Sequence, residues 1–238
     1  MLLFYVRHGD PIYNPDSLTP LGKRQAEAVG KRLSLFGVDE IYSSTSQRAI
    51  DTATPTAEMM KKEITQLDFA NEGHAWREIT AKDDEGNTKW LFSIKKFVDL
   101  FNTPEVQALG YEWYEHPEFK ACNLKPGLDR IKNAASEFIE SLGYRQIGNL
   151  GKYEIVNRNN KRVALFAHAG FGLTFLSFVL GIPYPLFATH FDLSHSSMTV
   201  IEFQEIDGYA YPKVLTHSSD SHLYKEGLPT RYNNRIAF

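Results

Sequence analysis

His8 follows the apolar run Leu2 to Val6 with only Arg7 between, and His168 directly follows the apolar run Val163 to Ala167. Arg7 adjoins the first histidine, and Arg48 falls in the first turn of a segment with helical spacing. An imidazole can act as the nucleophile of covalent catalysis. A phosphoryl group in transfer spreads charge over three oxygens, so its catalysis is mostly positioning plus fixed positive donors. Arg7, Arg48 and His168 are of the type that supplies such donors, the guanidinium as a fork matched to phosphate oxygens. A carboxylic acid is then needed to protonate the leaving oxygen. Taken singly, each residue has an ordinary explanation. A histidine at a strand end is more often structural, His168 alone could satisfy a backbone carbonyl, and an arginine on a helix is usually a solvated charge. The set, in this order and with each member at an element boundary, points to a site.

The elements that must position them follow from pattern. Leu2 to Val6 reads as a strand buried on both faces. Thr19-Pro20 is a cap followed by proline at the first helical position, and Gly37 is placed to end that helix. Asp39 to Tyr42 reads as a second strand. Ser46 opens a helix through Arg48 to Met60, in which Pro55 is expected to produce a kink or a split. Ile64 to Phe69 is expected as a third strand, followed by a loop holding Trp76-Arg77-Glu78-Ile79. Trp90 to Phe101 and Leu128 to Leu142 read as helices on either side of the aromatic, acidic stretch Tyr111 to Pro117. That stretch fits a core cluster better than a substrate cap. Gly148 to Asn160 reads as a connector, with a short strand as the alternative within it. Val163 to Ala167 is a strand, Phe171 to Leu180 a helix stopped by Gly181, and Met198 to Phe203 and Tyr211 to Leu215 late strands. The polar tail after Ser218 is expected to be irregular. Strands alternating with helices predict an α/β fold of three layers, α/β/α, around a mostly parallel central sheet. Ligands of such sheets bind beyond the carboxyl ends of the strands, where His8 and His168 would meet. Residues 83–145 are expected as a helical insertion over the active site, so that 1–238 forms one domain.

Composition narrows the partners. The 238 residues are 42 % hydrophobic and 23 % charged, with a formal net charge of −3. That is the balance of a globular protein with no bulk attraction to nucleic acid or an anionic membrane. Cys122 is the single cysteine, so no internal disulfide can form, which fits a reducing compartment. No basic leader and no long apolar stretch is present, and the expected location is the cytoplasm.

The segment Leu3-Phe4-Tyr5-Val6-Arg7-His8-Gly9 resembles the signature of the histidine phosphatase (phosphoglycerate mutase-like) superfamily, branch 1. Leu18-Thr19-Pro20-Leu21-Gly22-Lys23-Arg24-Gln25-Ala26 resembles the start of that family's first helix, and Ser43 to Ala53 its arginine-bearing motif. Ala167-His168-Ala169-Gly170, followed by an apolar helix, resembles the second-histidine motif. These matches span roughly residues 2–58 and 162–203. The resemblance implies that His8 is phosphorylated and that Arg7, Arg48 and His168 form the phosphate pocket. It implies that Asn14 also reaches the phosphate, that Glu78 is the general acid and that His195 lies at the pocket rim as a substrate contact. The chain departs from the family pattern in two places: the Gly and Trp usually found soon after the acid are displaced, and Ala169 replaces a common glycine.

Three functions compete on this reading. The first is a phosphomonoesterase acting on a small-molecule phosphate ester through a phosphohistidine, without metal or other cofactor. The second is a phosphoglycerate-type mutase, and the third a non-catalytic phosphate-binding module. Sugar-phosphate mutases of this type carry Glu-Arg-x-Tyr-Gly after the acid, whereas this chain has the more acidic Thr80 to Gly86. Hydrolysis is therefore the expectation. A metal reading from His190 and His195 lacks a third ligand of convincing spacing. The two His-x-Ser elements at His195 and His217 match two-histidine cyclic phosphoesterases, but leave Arg7, His8 and Arg48 unexplained.

Overall fold

A computed structural model describes residues 1–233. In chain order its strands and α-helices are β1 (Leu2–Arg7), β2 (Pro11–Tyr13), β3 (Asp16–Leu18), α1 (Pro20–Phe36), β4 (Glu40–Ser44), α2 (Gln47–Met60), β5 (Ile64–Leu67) and α3 (Glu72–Glu78). There follow β6 (Thr80–Lys82), β7 (Thr88–Trp90), α4 (Lys95–Phe101), α5 (Pro104–Ala108), α6 (Lys125–Ser141), β8 (Tyr144–Gln146) and β9 (Tyr153–Ile155). The chain closes with β10 (Arg162–Ala167), α7 (Ala169–Leu180), α8 (Tyr184–His190), β11 (Met198–Ile206), β12 (Tyr209–Ser219) and α9 (Ser221–Lys225).

The fold is mixed α/β, and the main sheet runs β5-β4-β10-β1-β11-β12-β9-β8. The expectation of a mostly parallel sheet is corrected here. Three neighbouring pairs, β5·β4, β4·β10 and β10·β1, are parallel. The other four, from β1·β11 to β9·β8, are antiparallel. One of these four pairs is a late hairpin: Asp207 and Gly208, with φ of 50° and 82°, form a two-residue turn that folds β12 back on β11.

Strand β1 lies at the junction of the two halves, and its pleat divides the core. Phe4 and Val6 pack with Val29, Leu33 and Ala53 of α1 and α2 on one face. Leu3 and Tyr5 pack with Ile131 of α6 and Phe175 of α7 on the other. Between the two layers, β1 from Leu2 to Val6 and β10 from Val163 to Ala167 are apolar runs, as strands covered on both faces must be.

Several local expectations change. Helix α2 runs unbroken through Pro55. The backbone of α1 comes close at that point: a Cβ on Gly30 would lie 3.1 Å from the Thr56 nitrogen, so glycine permits the contact. Residues 76–78 are not a loop but the end of α3. The region Trp90 to Phe101 is a strand end, a 3₁₀ turn (Leu91–Ser93) and the short helix α4. In the aromatic stretch, Trp113 is buried, and it packs with Phe119, Phe101 and Tyr184. It is core, and the insertion joins the main hydrophobic cluster rather than forming its own. The tail contains α9, whose Leu223 packs on Ala28 of α1; the last five residues of the expected irregular tail lie outside the described residues. Among the described residues, no helix is long and apolar enough to cross a membrane.

Candidate active site

Strands β1 and β10 pair in register, Arg7 opposite Ala167, so the residues that follow them emerge side by side. The His8 N–H continues the ladder, donating to the Ala167 carbonyl at 2.9 Å. The ring centroids of His8 and His168 lie 5.2 Å apart. Gly9 makes the approach of α1 feasible, since a Cβ there would fall 2.7 Å from the Gly22 carbonyl oxygen. His8 Nδ1 lies 2.7 Å from the Gly9 carbonyl, an acceptor that assigns the proton to Nδ1 and leaves the lone pair on Nε2. Burial, reinforced by His168, Arg7 and Arg48, holds the His8 pKa well below the usual imidazole value. His8 is therefore neutral at neutral pH.

His168 is equally enclosed, and burial together with the charges of Arg48 and Arg7 also holds its pKa well below 6.5. Its Nε2 lies 2.8 Å from Ser44 Oγ. That hydroxyl oxygen also accepts the Ser46 N–H, and the tautomer in which its proton goes to Nε2 puts the His168 proton on Nδ1, on the side of Glu72. The Tyr5 hydroxyl donates to the His168 carbonyl at 2.6 Å and fixes the backbone of the loop.

Arg48 lies in the first turn of α2, where helix and side chain both favour an anion. Its Nη1 meets Asp16 Oδ1 at 2.8 Å and its Nη2 meets Glu72 Oε2 at 3.2 Å. Arg7 Nη1 donates to the Leu193 carbonyl, and Nη2 lies 2.7 Å from His195 Nε2. Burial and the Arg7 charge push the His195 pKa down to about 4, so His195 Nε2 is an acceptor for the guanidinium. The Nε atoms of Arg7 and Arg48 and Nδ1 of His168 are buried with no protein hydrogen-bond partner. Orphan donors of this kind are rare in protein interiors, and here three of them lie in one group.

The carboxylate in this group is Glu72. Its Oε1 accepts the Gly170 N–H at 2.9 Å, and its Oε2 lies 3.6 Å from His168 Nδ1. One ligating atom from each of His8, Glu72 and His168 falls within 4.8 Å of the others, a spacing that could also hold a metal ion. Glu78 does not join them. Both its oxygens engage Arg130 of α6, at 2.8 Å, 3.0 Å and 2.6 Å, and its stem packs on Gly127. Six residues along a helix turn a side chain by about 240°, so α3 offers Glu72 to the histidines and Glu78 to α6. Asn14 is exposed at the tip between β2 and β3, and it is the neighbouring Tyr13 that faces the site. Sequence reading missed Glu72. The signal available was Asn71-Glu72, a cap residue followed by an acid in the first turn, and Asn71 Oδ1 does cap the Gly73 N–H.

Two clefts open from these groups, of about 550 Å³ and about 510 Å³, with Tyr13, Glu72 and Trp90 in the walls of both. His190 lines the larger one.

The wider comparisons agree with this architecture. Similar solved structures include phosphoserine phosphatase from Entamoeba histolytica in complex with 3-phosphoglyceric acid, 18 % identical with a TM-score of 0.57, covering 93 % of this chain and 98 % of that one. Mycobacterial glucosyl-3-phosphoglycerate phosphatase, complexed with VO3, is 17 % identical with a TM-score of 0.59, over 92 % and 99 % of the two chains. Alpha-ribazole phosphatase from Shigella flexneri is 16 % identical with a TM-score of 0.56, over 92 % and 98 %. At these identities the likeness shows the fold. No curated protein matches the chain. The family model of the histidine phosphatase superfamily (branch 1) matches residues 3–210, and the chain belongs to that family.

Proposed function

We propose that this protein is a phosphomonoesterase that transfers a phosphoryl group from a small-molecule ester to Nε2 of His8 and then to water. The observation that carries the reading is a neutral His8 with its proton held on Nδ1, beside buried donors of Arg7, Arg48 and His168 that have no protein partner. In the first step the Nε2 lone pair attacks phosphorus and the P–O ester bond breaks. The leaving oxygen takes a proton from Glu72, which becomes carboxylate. In the second step that carboxylate removes a proton from water, the water oxygen attacks phosphorus, and the N–P bond breaks to release inorganic phosphate. The guanidiniums and His168 Nδ1–H stabilise the charge on the non-bridging oxygens throughout. Glu72, rather than Glu78, takes the acid–base role because it stands within reach of both histidines.

The three ligating atoms of His8, Glu72 and His168 need no metal on this reading. A divalent ion there would meet the Arg48 guanidinium, whose Nη2 is 3.2 Å from Glu72. A double and a single positive charge about 4 Å apart repel by on the order of 8 kcal/mol at an effective dielectric of 20. Hydrolysis is favoured over isomerisation because, among the described residues, the clefts hold beyond the phosphate donors Asp192 and only one further guanidinium, that of Arg77, which contacts His74 Nδ1 at 2.6 Å. A mutase needs a second anion site. The single histidine phosphatase domain and the insertion over its site remain part of the same proposal. Incubation with an alkyl phosphate, with and without 2,3-bisphosphoglycerate, tests it: free phosphate is expected in both cases, and an isomerised ester without phosphate release would overturn it.

A further inference from the structure

The walls beyond the phosphate donors are aromatic, and this points to the organic half of the substrate. In the smaller cleft Arg48 and Glu72 adjoin Tyr13, Trp76 and Trp90. Trp76 is 40 % exposed and Tyr13 is 67 % exposed, although each is a large apolar side chain at the mouth of a buried polar site. Aromatic surface left open beside a site marks a place where a ligand covers it.

The indoles are held in place rather than lying loose. Trp90 meets Trp76 edge to face, with centroids 5.0 Å apart and planes at 83°. It stacks with Phe92 at 5.9 Å and 11°. Its ring rests on Gly170, where an added Cβ would lie 2.4 Å from the indole. The same Gly170 gives its N–H to Glu72, so the aromatic wall and the carboxylate share one support. On the opposite side the Arg48 guanidinium lies 5.4 Å from the Tyr13 ring centroid, joining that ring to the phosphate donors.

We propose that the substrate is a phosphate monoester whose alcohol carries a flat aromatic heterocycle, as a nucleoside monophosphate does. The heterocycle seats against Trp76 and Trp90 while its phosphate reaches His8. A cleft of about 510 Å³ is in the range that small-molecule ligands occupy. Stacking of a base on an aromatic side chain is worth roughly a tenfold effect or more per base.

This proposal rests on the phosphatase reading for its chemistry but not for its binding. The test compares adenosine 5′-monophosphate with ribose 5-phosphate, which leave as the same kind of primary alkoxide and differ in the base. The expected kcat/KM ratio favours the nucleotide by about tenfold or more. That ratio should collapse toward one in Trp76→Ala and in Trp90→Leu, with folding of each variant checked by circular dichroism. Tryptophan fluorescence titration of the full chain supplies a second readout. Tighter binding of the nucleotide without turnover of either ester would uphold the aromatic seat and break the catalytic reading alone. Equal kcat/KM and equal binding for the two esters, or a ratio unmoved by both variants, would overturn the seat and leave the phosphatase standing.

Discussion

Oε2 of Glu72 lies 3.6 Å from Nδ1 of His168, an imidazole nitrogen that is buried and has no hydrogen-bond partner in the protein. The two residues come from different elements, the first turn of α3 and the loop that begins α7, and meet because Gly170 donates to the other Glu72 oxygen. The pairing leaves one His168 proton and one carboxylate oxygen on the same side, close to His8. A phosphoryl group there would find a donor for its non-bridging oxygens and an acid for its bridging one. The remaining groups act by supporting this pair. Ser44 meets His168 at Nε2, Tyr5 holds its carbonyl, and Asp16 and Glu72 orient Arg48.

Removing the nucleophile should remove turnover. His8→Ala is expected to lower phosphate release by about 10⁴-fold or more while the circular dichroism spectrum is kept, since the side chain's one protein hydrogen bond is to the adjacent Gly9 carbonyl. The wild-type intermediate should be labile in acid and stable in alkali, as a phosphoramidate is. Substantial activity in the variant, or an acid-stable adduct, would place the phosphoryl group elsewhere.

Activity is expected to survive exhaustive chelation. On the proposed mechanism Arg7 and Arg48 neutralise the phosphoryl oxygens, so no divalent ion is required for charge stabilisation. Incubation with EDTA followed by assay on an alkyl phosphate checks this. A loss restored by added Zn²⁺ or Mn²⁺ would show that His8, Glu72 and His168 hold a metal.

Acid should destabilise the fold through its buried histidines. Burial pushes His195 and His222 down to about 4, whereas an unfolded imidazole titrates near 6.5. Between those values the unfolded chain binds more protons than the folded one, so stability falls as pH drops from about 6.5 toward 4. His222, whose Nε2 lies 3.0 Å from Ser196 Oγ in the α9 interface, takes no chemical part in the proposed turnover. His222→Gln should flatten the fall in melting temperature across that window. An unchanged slope would mean that other groups dominate the acid limb.

Much of the site was legible from sequence because His8, His168 and Arg48 each stand at an element boundary that pattern alone locates. The two central parallel strands, β1 and β10, were legible for the same reason, being built of continuous apolar runs. What escaped is short or depends on partners. Helix α3 has seven residues, too few for periodicity to reveal a face, so Glu72 and Glu78 could not be told apart by direction. The β11·β12 pair depended on Asp207-Gly208, a two-residue hairpin signal lying between runs that look like ordinary late strands, and the antiparallel pairing of β9 with β8 and β12 on three-residue strands too short for pattern to locate. Pro55 would break an isolated helix, and α2 continues through it where it packs on Gly30.

The two carboxylates of α3 can be separated by the basicity of the leaving group. An alkyl alcohol departs as a strongly basic alkoxide unless it is protonated, whereas p-nitrophenolate departs unaided. General acid catalysis is typically worth about 10²- to 10⁴-fold. Glu72→Gln should therefore slow phosphoryl transfer from an alkyl phosphate by a factor in that range and transfer from p-nitrophenyl phosphate far less. Single-turnover measurement keeps the first step visible. Dephosphorylation should slow equally for both esters, because the same phosphoenzyme forms and the same base is missing when water attacks. Glu78→Gln should show neither pattern. It strips the charge from a partly exposed pair with Arg130, so about 1 kcal/mol of stability is the expected loss, read as a lower melting temperature at unchanged single-turnover rates. If instead Glu78→Gln produces the leaving-group signature and Glu72→Gln slows both esters alike, α3 must turn during the reaction, and the acid is the residue that now holds α6.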